Sequence, residues 1–160
     1  MSWFVRNVRD TKWWDRGARG FVSDLVGDDE AQVGVNLFVL GPGQPMSMYH
    51  WEVDQEDFLV LSGEALLIVE DEERLLRQWD FFHCPPNVPH TIVGAGSGPS
   101  AILGIGAREH QDSPNWGAYP YSEVAMKHDA SAEEETDDQK IAYARFPQRQ
   151  EGEFPEGCLP

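Results

Sequence analysis

The stretch HWEVDQE, residues 50–56, decides the fold, and it runs into an apolar segment that ends at Gly63. Imidazole and carboxylate groups are the side chains that bind borderline divalent metal ions. Residues i and i+2 of a strand point to the same face, so His50 and Glu52 are expected to address one ion together. Glu56 closes the stretch, and a further histidine, His90, follows later in the chain. The pattern predicts a metal site built on short strands.

The spacing resembles the two sequence motifs of the cupin superfamily. The first motif, G-x5-H-x-H-x3,4-E-x6-G, is represented by Gly43, His50, Glu52, Glu56 and Gly63. The second motif, G-x5-P-x-G-x2-H-x3-N, is represented by the Trp79-Asp80 turn, Pro85 and His90. The resemblance covers roughly residues 31–108. It implies an all-β fold, the cupin jelly-roll (double-stranded β-helix) barrel, and a metal site inside it.

Three departures from the motifs are visible. Glu52 replaces the second histidine, Asp80 and Asn87 replace the glycines of the second motif, and Gly94 replaces its final asparagine. Asn87 is a mild change, because asparagine tolerates the left-handed backbone that a turn glycine adopts. Glu52 changes the donor set of the site.

Short strand-like runs separated by turn residues dominate the first two thirds of the chain, which favours a sandwich or barrel. The turns are rich in glycine, proline, serine and aspartate. The predicted strands are Gly20–Asp24, Val33–Leu40, Met46–Glu52, Asp57–Leu61, Glu64–Val69, Glu72–Arg77, Phe81–Cys84, His90–Val93 and Ser100–Ala107.

We expect three regions along the chain: an N-terminal arm over residues 1–30 that packs on the barrel, the barrel over 31–108, and a C-terminal extension over 109–160. Thr136, followed by two aspartates, indicates a helix start, and a short helix is expected near residues 137–145. A second short helix is expected at Ser122–Lys127. The polar, proline-containing stretch after residue 147 predicts a loose tail.

The metal set drawn from the residues is His50, Glu52, Glu56 and His90, holding one divalent ion per chain, with Zn²⁺, Mn²⁺ and Fe²⁺ as candidates. Two imidazoles and two carboxylates would leave the ligand shell neutral and tolerant of harder metals. Alternatively, Glu52 stays off the metal and acts as a general base beside a two-histidine, one-carboxylate face. Ligation by Glu52 is the first choice, and both alternatives stay open.

Strand parity predicts an apolar cavity wall around the ion. Alternation along the strands gives a pocket-lining set of Met46, Met48, Phe58, Val60 and Ile92. Such a setting suits a small organic molecule oriented by the metal and a few polar groups. His83, His110 and His128 are not expected at the metal, and Cys84 is expected to be a buried structural thiol.

Composition narrows the range of partners. The formal net charge is -16, which disfavours nucleic acid and anionic membranes as partners. It also disfavours a highly charged anionic substrate, unless a bound cation reverses the charge locally. The 2 cysteines lie far apart, and no signal-peptide pattern or long apolar run is present, so we expect a cytoplasmic protein. The resemblance further implies a homodimer.

Function is predicted only in outline. The resemblance implies a metal-dependent enzyme acting on a small organic molecule, with dioxygenase, isomerase or epimerase, and decarboxylase chemistry all known among cupins. The alternative is a non-catalytic module that binds or senses a small ligand. Metal-dependent turnover would separate the two.

Overall fold

Short β-strands make up most of the protein. The computed structural model describes residues 3–27 and 31–160. Within them the strands are, in chain order, β1 Trp13–Asp15, β2 Phe21–Asp24, β3 Val33–Leu40, β4 Trp51–Glu52, β5 Glu56–Ser62, β6 Glu64–Val69, β7 Glu72–Arg77, β8 Phe81–Cys84, β9 His90–Ala95, β10 Ser100–Ala107, β11 Gly117–Ala118 and β12 Gln150–Gly152. Two one-turn helices, α1 Glu123–Met126 and α2 Gln139–Ala142, lie in the C-terminal region.

The strands form antiparallel sheets with a shared core. The largest sheet has the order β12-β1-β2-β3-β10-β5-β8, a second sheet has the order β7-β6-β9, and β4 pairs with β11. The main core cluster takes buried side chains from both larger sheets, among them Leu40, Val60, Leu67 and Ile102. Because inward and outward side chains alternate along each strand, these apolar positions fill the space between the two sheets.

Glycine and asparagine allow two tight turns near the site. Gly63 has a φ of 74°, and a Cβ there would lie 2.5 Å from the Pro99 carbonyl oxygen. Asn87 has a φ of 67°, which confirms the left-handed conformation predicted for it. A Cβ on Gly94 would lie 2.1 Å from the Gly41 carbonyl oxygen, which explains why the asparagine of the family motif is a glycine here.

The prediction of a strand over Met46–Glu52 is wrong for most of its length, because only Trp51–Glu52 is a strand. The backbone of the residues before it does not pair with one neighbouring strand throughout. Met46 N–H donates to the Ile92 carbonyl at 2.8 Å, whereas Tyr49 N–H donates to the Ala130 carbonyl at 2.6 Å. Two partners in different segments interrupt the ladder, and side-chain alternation is lost over this stretch.

The N-terminal segment contributes strands to the large sheet. β2 pairs with β3 and β1 pairs with β2, and Trp13 on β1 is buried against Leu37 and Val39. The expected arm over residues 1–30 includes residues 1–2 and 28–30, which lie outside the described residues. Over the described part, apolar burial against β3 explains why this segment is fixed to the barrel.

The expected loose tail after residue 147 is also corrected. Gln150–Gly152 pairs with β1, and the Phe154 ring packs edge-on against Trp13 with centroids 5.7 Å apart. The sequence suggested looseness because its polar residues dominate, but one aromatic ring and one edge strand are enough to fix it.

The helix in the C-terminal extension begins later than the sequence suggested. Its N-cap is Asp138, whose side chain accepts from Lys140 N–H at 2.8 Å. Thr136 lies two residues earlier, and its hydroxyl oxygen accepts from Asp138 N–H at 3.1 Å. Ser122 caps the other short helix, α1, through Ala125 N–H.

Candidate metal centre

Backbone pairing brings the two histidines of the motifs together. His50 N–H donates to the His90 carbonyl at 3.1 Å, and His90 N–H donates to the His50 carbonyl at 2.8 Å. This is the reciprocal pattern of a hydrogen-bonded antiparallel pair, which holds two residues directly opposite each other. The two imidazole rings have centroids 5.0 Å apart.

Each imidazole is oriented by a backbone carbonyl. His50 Nδ1 lies 2.8 Å from the Met48 carbonyl oxygen, and His90 Nδ1 lies 3.1 Å from the Val88 carbonyl oxygen. A carbonyl only accepts, so each ring donates from Nδ1 and turns its Nε2 toward Glu56. Metal-binding histidines commonly use the second ring nitrogen in this way.

Glu56, at the start of β5, completes a group of three. Its Oε2 lies 3.6 Å from His50 Nε2 and 3.4 Å from His90 Nε2. Donor atoms of these three residues all lie within 4.8 Å of one another. Glu56 Oε2 and His90 Nε2 are both buried and have no hydrogen-bond partner among the described residues. Buried polar atoms are normally satisfied, so this donor set fits a bound cation.

Glu52 lies beside this group and outside it. Its Oε1 is 3.5 Å from His50 Nε2, but Glu52 does not belong to the set whose donor atoms are mutually close. The side chain is also more exposed, at 27% against 17% for Glu56. The geometry therefore favours the alternative in which Glu52 stands beside a two-histidine, one-carboxylate face.

The electrostatics of the group attract positive charge. Burial lowers the pKa of His50, but interaction with the Glu52 and Glu56 carboxylates outweighs burial and raises this pKa well above its usual value. Burial and the neighbouring charge of His50 lower the pKa of His90 to about 4. Burial raises the pKa of Glu56, but His50 outweighs it and the net pKa is lowered. One cation at the end of Glu56 is thus favoured by the surrounding charges.

His50 and Glu56 line a cavity of about 830 Å³, which is large enough for a small organic molecule, whereas His90 is buried behind them. Of the pocket-lining residues predicted by parity, Met46 and Phe58 line this cavity. Val60 and Ile92 instead belong to the core between the sheets. Met48 packs against Tyr119 in a separate cluster, because the strand expected to carry it is interrupted.

His83 and His128 pair with carboxylates away from the group, whereas Cys84 contacts one of its histidines. His83 Nδ1 lies 2.7 Å from an Asp57 oxygen, away from the group, as expected. Cys84 is buried, and its Sγ lies 3.2 Å from His90 Nδ1, so the thiol braces the back of that ring. His128 lies 2.6 Å from a Glu73 oxygen.

His110 lies apart from the group of His50, Glu56 and His90, but nothing in the sequence indicated that it has ligand-like neighbours of its own. Its Nδ1 lies 2.7 Å from Asp54 Oδ1, and Glu109 lies close by. The sequence distance between Asp54 and His110 concealed this contact. His110 and Glu109 are exposed, so the pair is an ordinary surface interaction.

Sequence reasoning missed the residues that form the rest of the cavity wall. Besides residues of β3 and β10, they include Arg16, Arg19, Tyr143 and Arg149 from the N-terminal and C-terminal regions. Two arginines within a glycine-bounded segment, DRGARG at residues 15–20, were a signal that could have been used. The motifs do not indicate that this segment lies near His50, because that proximity arises only from the order of the strands in the folded sheet.

Residues 36–106 match the cupin domain family model, which identifies this part of the chain as a cupin domain. The all-β jelly-roll prediction is thereby confirmed. No curated protein matches the chain. No helix among the described residues has the length and apolar character needed to cross a membrane.

Solved cupin structures share the fold. A sugar phosphate isomerase of the cupin superfamily from Silicibacter pomeroyi is 27% identical, with a TM-score of 0.50, over 55% of this chain and 59% of that chain. A cupin 2 domain-containing protein from Halorhodospira halophila is 18% identical, with a TM-score of 0.52, over 66% and 70%. A cupin 2 conserved barrel domain protein from Salinispora arenicola is 16% identical, with a TM-score of 0.54, over 67% and 90%. The match to the isomerase spans less than two thirds of its length.

Proposed function

We propose that the protein is a metal-dependent enzyme that acts on a small organic molecule inside the cavity, with His50, Glu56 and His90 as metal ligands. The strongest support is the position of two buried atoms without hydrogen-bond partners among the described residues, Glu56 Oε2 and His90 Nε2. Both lie close to His50 Nε2. The bound ion, Zn²⁺, Mn²⁺ or Fe²⁺, would supply Lewis-acid polarisation of a substrate oxygen.

Isomerisation is the reaction class we favour over dioxygenase and decarboxylase chemistry. The likeness to the Silicibacter pomeroyi sugar phosphate isomerase supports this choice. The carboxylate of Glu52 supports it as well, because it borders the same cavity and is partly open to it. Glu52 would accept a proton from the hydroxyl-bearing carbon next to a substrate carbonyl and return it to the former carbonyl carbon, while the proton of that hydroxyl passes to the former carbonyl oxygen. Met46 and Phe58 would exclude water from one side of the substrate.

The proposal is tested by metal-dependent turnover. The full chain is treated with a chelator, resupplied with Zn²⁺, Mn²⁺ or Fe²⁺, and assayed for interconversion of aldose and ketose phosphates. We expect turnover only after metal is restored, accompanied by exchange of a substrate C–H proton with solvent when the assay is run in deuterium oxide. His83→Ala is the control, because His83 has the same chemistry but pairs with Asp57 outside the cavity.

The alternative function is a non-catalytic ligand-binding module. It would be supported by sugar phosphate binding with no turnover in the presence of any of the three metals. That result would contradict the enzymatic proposal and leave the metal site to be judged separately.

A further inference from the structure

Two arginines that line the cavity, the buried Arg16 and the half-buried Arg19, have no carboxylate partner among the described residues. Arg16 is only 6% exposed and donates to the carbonyl oxygens of Met46 at 2.7 Å and Arg19 at 2.6 Å. Its Nε is buried and has no partner among the described residues. An arginine side chain carries five N–H groups, so two backbone contacts leave it unsatisfied.

Arg19 is still less satisfied. Its guanidinium lies over the Tyr143 ring at 4.5 Å and over the Phe146 ring at 5.3 Å. Its Nε is buried without a hydrogen-bond partner, and no ion pair to it occurs within residues 3–27 and 31–160. Stacking on aromatic rings fixes the guanidinium plane and leaves its edge available for a planar or tetrahedral anion.

The cationic wall contrasts with the charge of the whole protein. The chain has 28 acidic and 12 basic side chains, yet Arg16, Arg19, Lys140 and Arg149 line one cavity together. Burial, and then the charge of Arg19, lower the pKa of Arg16 to about 9. Clustered, desolvated cations repel one another. A chain with this many acidic side chains has enough carboxylates to pair with them. Their unpaired state is consistent with an anionic ligand.

A purely structural role explains only part of this arrangement. Arg16 braces the turn at residues 16–20 through its two carbonyl contacts, which accounts for its burial. It does not account for Arg19, whose side chain makes no hydrogen bond within the described part of the chain, nor for Arg149 on the same cavity. Arg149 is exposed and stacks on Trp14 at 4.4 Å, at the open side.

The cationic wall and the metal centre belong to the same cavity. A run of aromatic contacts connects them. The His50 ring lies 5.8 Å from the Tyr119 ring, Tyr119 lies 5.6 Å from Tyr143, and Arg19 stacks on Tyr143. A ligand lying along this wall would have one end at the arginines and the other at Glu56.

We propose that Arg16, Arg19 and Arg149 form a subsite for the phosphate group of a small phosphorylated substrate, an inference that rests on the proposed function for the other end of that substrate. Phosphate suits this site better than carboxylate. It presents two negative charges and three terminal oxygens to several unpaired guanidinium groups, whereas a carboxylate presents one charge and two oxygens.

Binding of inorganic phosphate to the chelator-treated full chain tests the subsite without involving the metal. Isothermal titration calorimetry is run with phosphate and, separately, with acetate as the carboxylate probe. We expect phosphate to bind more tightly than acetate. Arg19→Gln and Arg149→Gln should each weaken phosphate binding by roughly tenfold or more, because each loses a charge-assisted hydrogen bond.

Arg74→Gln is the matched control, because Arg74 is an exposed arginine on β7 that does not line the cavity. It should leave phosphate affinity within about twofold of wild type, since exposed charges contribute little. Unchanged phosphate affinity in both Arg19→Gln and Arg149→Gln would overturn the proposal. Acetate binding as tight as phosphate binding would overturn the choice of phosphate.

The two proposals fail separately. His90→Ala should lose metal and keep phosphate binding, because the buried His90 is not among the residues that line the cavity with the arginines. A wild-type chain that binds phosphate through Arg19 but carries no metal would overturn the proposed function and support the subsite.

Discussion

At the level of single residues, the positions of the two Nδ1 atoms matter most. The Met48 and Val88 carbonyls accept hydrogen bonds from the Nδ1–H groups of His50 and His90. The Nε2 atoms of both rings are therefore directed toward Glu56 before any ion binds. The motif spacing was sufficient to predict which histidines meet. It could not predict the side-chain orientation of Glu52, because parity gives the face of a strand and not the direction of a long side chain.

The two glutamates are predicted to respond differently to amide substitution. Glu56→Gln removes the carboxylate that both histidines face and should lower metal affinity by at least about 10–100-fold, since even the loss of an outer partner of a ligand has that effect. Glu52→Gln should retain the metal and abolish turnover. Metal content by mass spectrometry, together with the isomerase assay, measures both.

A further substitution tests the same distinction without any substrate. In Glu52→His, an unchanged preference between Zn²⁺ and Mn²⁺ is expected if position 52 does not ligate. A shift toward Zn²⁺, which prefers nitrogen ligands, would show that Glu52 belongs to the ligand shell after all.

At the level of elements, the sequence predicted strands well where one apolar face is continuous. Val33–Leu40, Glu64–Val69 and Ser100–Ala107 have the expected bounds. It failed for Met46–Glu52, because the backbone there bonds to two separate segments. It also missed β1, β11 and β12, which are only two or three residues long and are stabilised by neighbours that no local pattern reveals.

Gly94 on β9 is predicted to be intolerant of a side chain. Gly94→Ala would place a Cβ 2.1 Å from a backbone oxygen, which cannot move as a flexible side chain could. We expect it to lower the free energy of unfolding by about 1–3 kcal/mol, measured by urea denaturation. Gly98→Ala is the control, because nothing lies within 4 Å of a Cβ there. Equal stability of the two variants would contradict the close approach of β9 to Gly41.

The C-terminal strand is predicted to contribute to stability. Phe154 packs on Trp13 and lies under the Arg9 guanidinium at 4.3 Å. Phe154→Ala should lower the free energy of unfolding by about 1–3 kcal/mol, toward the low end of a buried aromatic truncation because the ring is half-buried. Phe81→Ala, at a ring that is 61% exposed, should change it far less. A tail that is digested freely after residue 149 while the barrel stays intact would contradict this packing.

At the level of the whole molecule, the net charge of -16 does not describe the cavity. It suggested that highly charged anions would be disfavoured, yet the cavity wall carries Arg16, Arg19 and Arg149. Net charge describes the outer surface, and it says little about a cavity that collects side chains from distant segments. The sheet order β12-β1-β2-β3 brings the segments that carry these arginines to the barrel strands of the motif residues.

The homodimer implied by the resemblance stays a prediction. Sedimentation equilibrium should give twice the chain mass at micromolar concentration. A single chain mass over the whole range would contradict it, and it would leave the metal centre unaffected, because the described metal group lies within one chain.

The metal content of His90→Ala tests the central claim most directly. Protein is purified without an affinity metal column and analysed by inductively coupled plasma mass spectrometry, with His83→Ala as the matched control. We predict close to one divalent ion per chain in wild type and in His83→Ala, and loss of most of it in His90→Ala. Full metal content in His90→Ala would contradict a metal centre formed by His50, Glu56 and His90.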